Sequence, residues 1–161
     1  MILKLLHRAS VVLILAAVLM GYGVALGRVS AGAHIAYGFA FALVISFTHA
    51  MTLFYFAGMG VSMRRAAAGV RSGSAFLEQA ESMRRRLALP LGLALVTLMA
   101  AAILGGGSHT RTLPSWVHHI VSLAALASNL FACARSIRLI RANESVIQEL
   151  EARLRGDASR P

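Results

Sequence analysis

Carboxylates are scarce in this chain: six Asp and Glu stand against sixteen Lys and Arg in 161 residues, and none of the six lies within a long apolar stretch. A transporter or proton relay that works through acidic side chains, or a carboxylate-bridged metal centre, therefore has no residues to use inside a membrane. Cysteine is nearly absent as well. Cys133 stands alone, which excludes a disulfide framework and a thiolate zinc site. There is no HExxH zinc sequence, no phosphate-binding GxxxxGK[ST] loop and no GxSxG nucleophile turn. Three prolines and no Pro/Ser-rich tract argue against a disordered or fibrous chain. Charge is low overall, at 14% of residues, where a soluble domain carries about a quarter.

What fills the chain instead is hydrocarbon, with 58% hydrophobic residues and a mean hydropathy of +0.71. Four stretches, 9–27, 33–62, 87–105 and 114–136, are long enough to cross about 30 Å of bilayer at about 1.5 Å per residue. The expected fold is an all-α membrane protein with four transmembrane helices. The short linkers 28–32 and 106–113 make their flanking helices antiparallel neighbours, in an up-down bundle. Residues 1–136 form the transmembrane domain, with a loop at 63–86. Residues 137–161 form an amphipathic helical tail, resting on headgroups or on that loop, or pairing between chains.

The net charge of +10 does not point to nucleic acid, because the basic residues fall between apolar stretches and make no basic-aromatic surface. It points to orientation. Fourteen basic residues, among them Lys4, Arg8, Arg64, Arg84 and Arg138, lie on one side of the four spans, and Arg28 and Arg111 lie on the other. Short basic segments stay cytoplasmic, so the chain is expected in the cytoplasmic membrane with both termini on the cytoplasmic side, where the arginines meet anionic headgroups. The first apolar run is longer than a secretory signal core and is expected to stay as a helix. Within 63–86, Ser72 or Ser74 is the expected cap of a short helix that runs into the third span.

Inside the spans the residues that stand out are small or polar. Ser115, His118, Ser122, Ala125, Asn129, Ala132 and Ser136 recur at alternating three and four steps on the fourth helix. Such a stripe faces protein, since an unpaired polar group in hydrocarbon costs several kcal/mol. A shorter version, Gly38, Ala42, Ser46, His49 and Thr52, runs along the second. With midspans level, Asn129 and Ser122 are the expected partners of His49. Gly23 and Gly27 read as a packing face on the first helix, and Tyr22, Tyr37 and Trp116 as an interfacial aromatic belt. Met51, Met59 and Met63 read as packing residues.

The histidines carry the one cofactor expectation. His34, His118 and His119 lie near the outer face, where a pair from two helices would clasp a b-type haem, with Arg111, Tyr37 and Trp116 near its propionates. His7 reads as cytoplasmic. His49 then has no level histidine on another helix, so no second haem is expected. The primary expectation is a non-catalytic membrane subunit that associates with itself or with other membrane subunits through its small and polar faces. The competing expectation is an electron-transfer subunit carrying haem b through His34 and His118 or His119.

Overall fold

The computed structural model describes residues 1–68 and 73–158 and is all-helical over them. Four helices run in chain order: α1 (Ile2–Ala25), α2 (Ala31–Ala67), α3 (Gly73–His109) and α4 (Ser115–Ala158). All four are long and apolar enough to cross a membrane, which makes this an integral membrane helix bundle. α1 packs on α2 and α4, α3 packs on the same two helices, and α2 and α4 barely touch across the middle.

The helix ends explain the two short connections. α1 closes with the Arg28 amide donating to the Gly23 carbonyl at 2.8 Å and the Gly27 amide to Val24 at 3.0 Å. This is the Schellman closure, and Gly27 supplies its left-handed residue at φ 68°. A Cβ at Gly23 would meet the Val29 side chain at 2.6 Å. Gly23 and Gly27 thus serve the α1–α2 turn rather than the interhelical face expected of them. Ser30 starts α2, its hydroxyl accepting from the Ala33 amide at 3.2 Å. α3 ends in the same pattern as α1, except that Arg111 takes the left-handed position, at φ 59°.

Both extensions beyond the apolar stretches, at residues 63–86 and 137–158, are continuous with the spans. α3 begins at Gly73, where an added Cβ would collide with the Ala67 carbonyl at the end of α2. Ser74 is therefore already helical, and Ser72 lies outside the described residues. Pro90 sits inside an unbroken α3. α4 runs through residue 136 without interruption, and Val146 and Leu150 bury against Met63 and Phe76. The tail thus lies on the segment between the second and third spans, with Val146 buried and Ile147 half-buried. Lys4 reaches Glu144 at 2.8 Å and ties the start of α1 to α4, while Asn143 donates to the Tyr55 hydroxyl at 2.9 Å.

Above this stalk the core is apolar, with Phe56, Leu87, Leu91, Ala94, Ala132 and Ile140 in one cluster. Ile14, Ile45 and Leu98 form another farther along. Large apolar residues such as Phe39, Phe54, Leu89, Ile103 and Phe131 remain exposed around the outside, as suits a lipid-facing surface.

Candidate functional site

Two groups of polar side chains interrupt this apolar interior, and histidines form both. At the end carrying the α1–α2 and α3–α4 turns, His34 of α2 and His118 of α4 face one another with ring centres 6.3 Å apart and planes at 65°. Two opposed imidazoles on one metal, with metal–nitrogen bonds of about 2 Å, set ring centres about 6 Å apart.

The Cε1 edges of these rings, with ring nitrogens beside them, lie against glycines on the other two helices. A Cβ at Gly21 of α1 would meet the His34 ring at 3.4 Å, and one at Gly105 of α3 would meet the His118 ring at 3.0 Å. An added Cβ at Gly105 would press on the His118 ring, while one at Gly21 would come into ordinary contact with His34. Around the pair lies a cleft of about 560 Å³ lined by all four helices, with Gly38, Ala42, Ala101, Ala102, Gly106 and Ala125 among its walls. Cofactor sites commonly occupy about 300–1,000 Å³. His109 and Arg111 reach the cleft as well, and these are the cationic or proton-donating groups that would meet a haem's propionates. Tyr37 and Trp116, expected in that role, are exposed and do not line it. Two imidazoles from different helices beside a cleft of this size are the residues that could hold a haem.

His119 has a different place. Its ring stacks on Tyr22 of α1 with centres 6.1 Å apart and planes at 7°, so of the two candidate partners for His34 it is His118 that meets it. Ser122, expected beside His49, lies instead near its own helix neighbour His118, at 3.4 Å.

The second group lies deeper, toward the chain termini. His49 Nε2 donates to Asn129 Oδ1 at 2.9 Å, the partnership read from midspan depth. Asn129 in turn donates to the carbonyls of Ala94 at 3.1 Å and Ala125 at 2.8 Å, so one side chain links α2, α3 and α4. His7 corrects the reading of the sequence. It is not an isolated residue outside the span but is fully buried on α1, with its ring centre 5.8 Å from that of His49. His49 does have a level histidine on another helix. His7 Nε2 bonds Thr52 Oγ1 at 2.9 Å, and Thr52 donates to the Thr48 carbonyl at 2.8 Å.

The polar stripe of α4 is turned inward along this path, with Ala125, Asn129, Ala132 and Ser136 all buried within the chain's own bundle. Thr97 of α3 meets Ser128 of α4 at 2.6 Å beside it. Among the described residues, no group of three or more His, Cys, Asp or Glu converges as a metal centre. No protein-family model matches the chain, and no curated protein or solved structure does so.

Proposed function

We propose that the protein is a membrane electron-transfer subunit in which His34 and His118 hold a b-type haem edge-on between the four helices. The observation that carries this reading is the pair of imidazoles from two helices, His34 and His118, with ring centres 6.3 Å apart beside a cleft of about 560 Å³ lined by all four helices. Bound between these rings, haem supplies reversible one-electron chemistry at its iron. The chain's own part is to fix the two rings, with Gly105 leaving room for that of His118. Arg111 would offset propionate charge at the mouth, and the apolar walls would limit water around the group.

A subunit of this kind transforms no substrate itself and acts by association, passing electrons to another membrane subunit or to a second copy. The basic-residue asymmetry supports an orientation with both termini in the cytoplasm, neighbouring helices running up and down, and the haem toward the outer face of the cytoplasmic membrane. The arginines around the inner ends, such as Arg64, Arg84 and Arg138, would then meet anionic headgroups.

Protein purified from haem-replete cells tests the reading. The expected result is one haem per chain by pyridine haemochrome, lost in His34→Ala and in His118→Ala but kept in His119→Ala. A colourless wild-type preparation would overturn the cofactor, leaving a non-catalytic subunit whose polar faces only hold the helices together.

A further inference from the structure

At the end of the bundle away from the histidine cleft, α2 and α3 leave a groove of about 490 Å³ between them. Its α2 wall includes Ala57, Gly60, Val61 and Arg64. Steps of three, one and three residues keep these side chains on one face of the helix over about two turns. A Cβ added at Gly60 would meet nothing within 4 Å, and Ala57 and Val61 are exposed. This wall is therefore bare, whereas the inward side of the same helices is closed where Met63 and Phe76 cluster.

The α3 wall carries most of the charge. Glu81 meets Arg84 at 2.8 Å and Arg85 at 3.3 Å, so one carboxylate is divided between two guanidinium groups. Arg64, from the other wall, acts on the same carboxylate only through space, and among the described residues it makes no ion pair. Glu78 is the other acid in the lining, so three arginines stand against two carboxylates and leave a net charge of +1. Exposed pairs such as those of Glu81 are weak. Their guanidinium groups can turn from carboxylate to phosphate, which the planar fork of arginine binds with two N–H donors.

We propose that this groove binds one anionic phospholipid, with its phosphate between Arg64 and the Arg84–Arg85 pair and an acyl chain along Val61, Gly60 and Ala57. Charge and position select this occupant. The groove lies where the apolar surface of the spans gives way to arginine: Leu53 and Phe54, one turn beyond Ala57, are exposed, and Arg84 and Arg85 stand just before Leu87, where the buried core of α3 resumes. That is headgroup level, whichever way the chain is oriented. A free phosphate would meet the arginines and leave the apolar wall bare. A zwitterionic lipid would cover the wall but bring its own cation to the arginines. An amphiphile with an anionic head matches both walls, as in other basic pockets between membrane helices. The groove shares no residue with the histidine cleft and does not rest on the haem reading.

Native mass spectrometry of the full-length protein, delipidated in detergent and titrated with phosphatidylglycerol, tests the site. The expected result is one lipid per chain, held more tightly than phosphatidylcholine of the same chain length, with inorganic phosphate at equal concentration not retained. Arg64→Gln should weaken binding about fivefold, the worth of one basic residue near an anionic membrane surface. Arg138→Gln, on an exposed position of α4 at the same end, should leave it unchanged. Gly60→Leu should displace the lipid with no change of charge, and the open space at Gly60 lets that variant fold. Binding should persist in His34→Ala/His118→Ala. Equal retention of phosphatidylcholine, indifference to Arg64→Gln or Gly60→Leu, or retention of inorganic phosphate would each overturn the site. A dimer without bound lipid would also overturn it and give the groove to a second copy of the chain.

Discussion

Asn129→Leu is the substitution whose cost follows most directly from the structure. It removes three hydrogen bonds from one buried side chain, but the three are not equivalent. The Ala94 and Ala125 carbonyls belong to continuous helices and keep their own backbone donors. His49 Nε2–H has Asn129 as its partner and is fully buried, so it is left unsatisfied. An orphaned buried donor costs about 1–3 kcal/mol. Interhelical polar contacts in membrane proteins average only about 0.6 kcal/mol, because the unfolded chain in lipid also finds partners. The expected loss is therefore about 1–2 kcal/mol, the upper part of the membrane range plus the strain of seating a branched side chain.

Reversible unfolding in mixed micelles, read by circular dichroism for wild type, Asn129→Leu, His49→Leu and the double variant, measures it. Because the penalty lies in the orphaned imidazole, His49→Leu should restore part of the stability lost in Asn129→Leu, giving a coupling of about 0.6 kcal/mol or more. Strict additivity would refute the reasoning, since it would mean that the two residues do not depend on one another.

Enlarging a buried member of the α4 stripe, as in Ala125→Leu, should cost about 1–3 kcal/mol through overpacking, while Ala124→Leu on the exposed side should be nearly silent; thermal stability in detergent distinguishes them. Arg111 holds a left-handed conformation that favours glycine by about 1 kcal/mol, so Arg111→Gly should keep or raise the midpoint of thermal unfolding. The same variant should change the reduction potential of the bound haem in a spectroelectrochemical titration, and an unchanged potential would remove Arg111 from the propionate role. Reporter fusions after Ser74 and Arg155 should report cytoplasm and one after Ser108 the far side. An outward signal at Ser74 would reverse the orientation.

The four spans were legible because apolar runs of this length have one common use, and the His49–Asn129 bond because two inward stripes meet at midspan. His7 was hidden by its neighbours. Lys4 and Arg8 mark a membrane boundary on composition, yet Lys4 turns to Glu144 and Arg8 to the surface, which lets the helix carry His7 inward between them. Ser122 was misplaced because three-and-four periodicity gives a face and not a depth, and its depth turned out to be that of His118. The choice between His118 and His119 needed the rotation of α4 about its axis, which adjacent residues cannot reveal. Gly21 and Gly105 stand out only through the rings beside them, so a pattern search passes over them in favour of the regularly spaced Gly23 and Gly27, which shape a turn.

Electron paramagnetic resonance of the oxidised, purified protein tests the central claim most directly, since two imidazoles on one iron give a low-spin ferric signal. The account predicts that signal in the wild type and in His119→Ala, with its loss or conversion to high spin in His34→Ala and in His118→Ala. A high-spin wild-type haem, or a low-spin signal that survives loss of either His34 or His118, would contradict it.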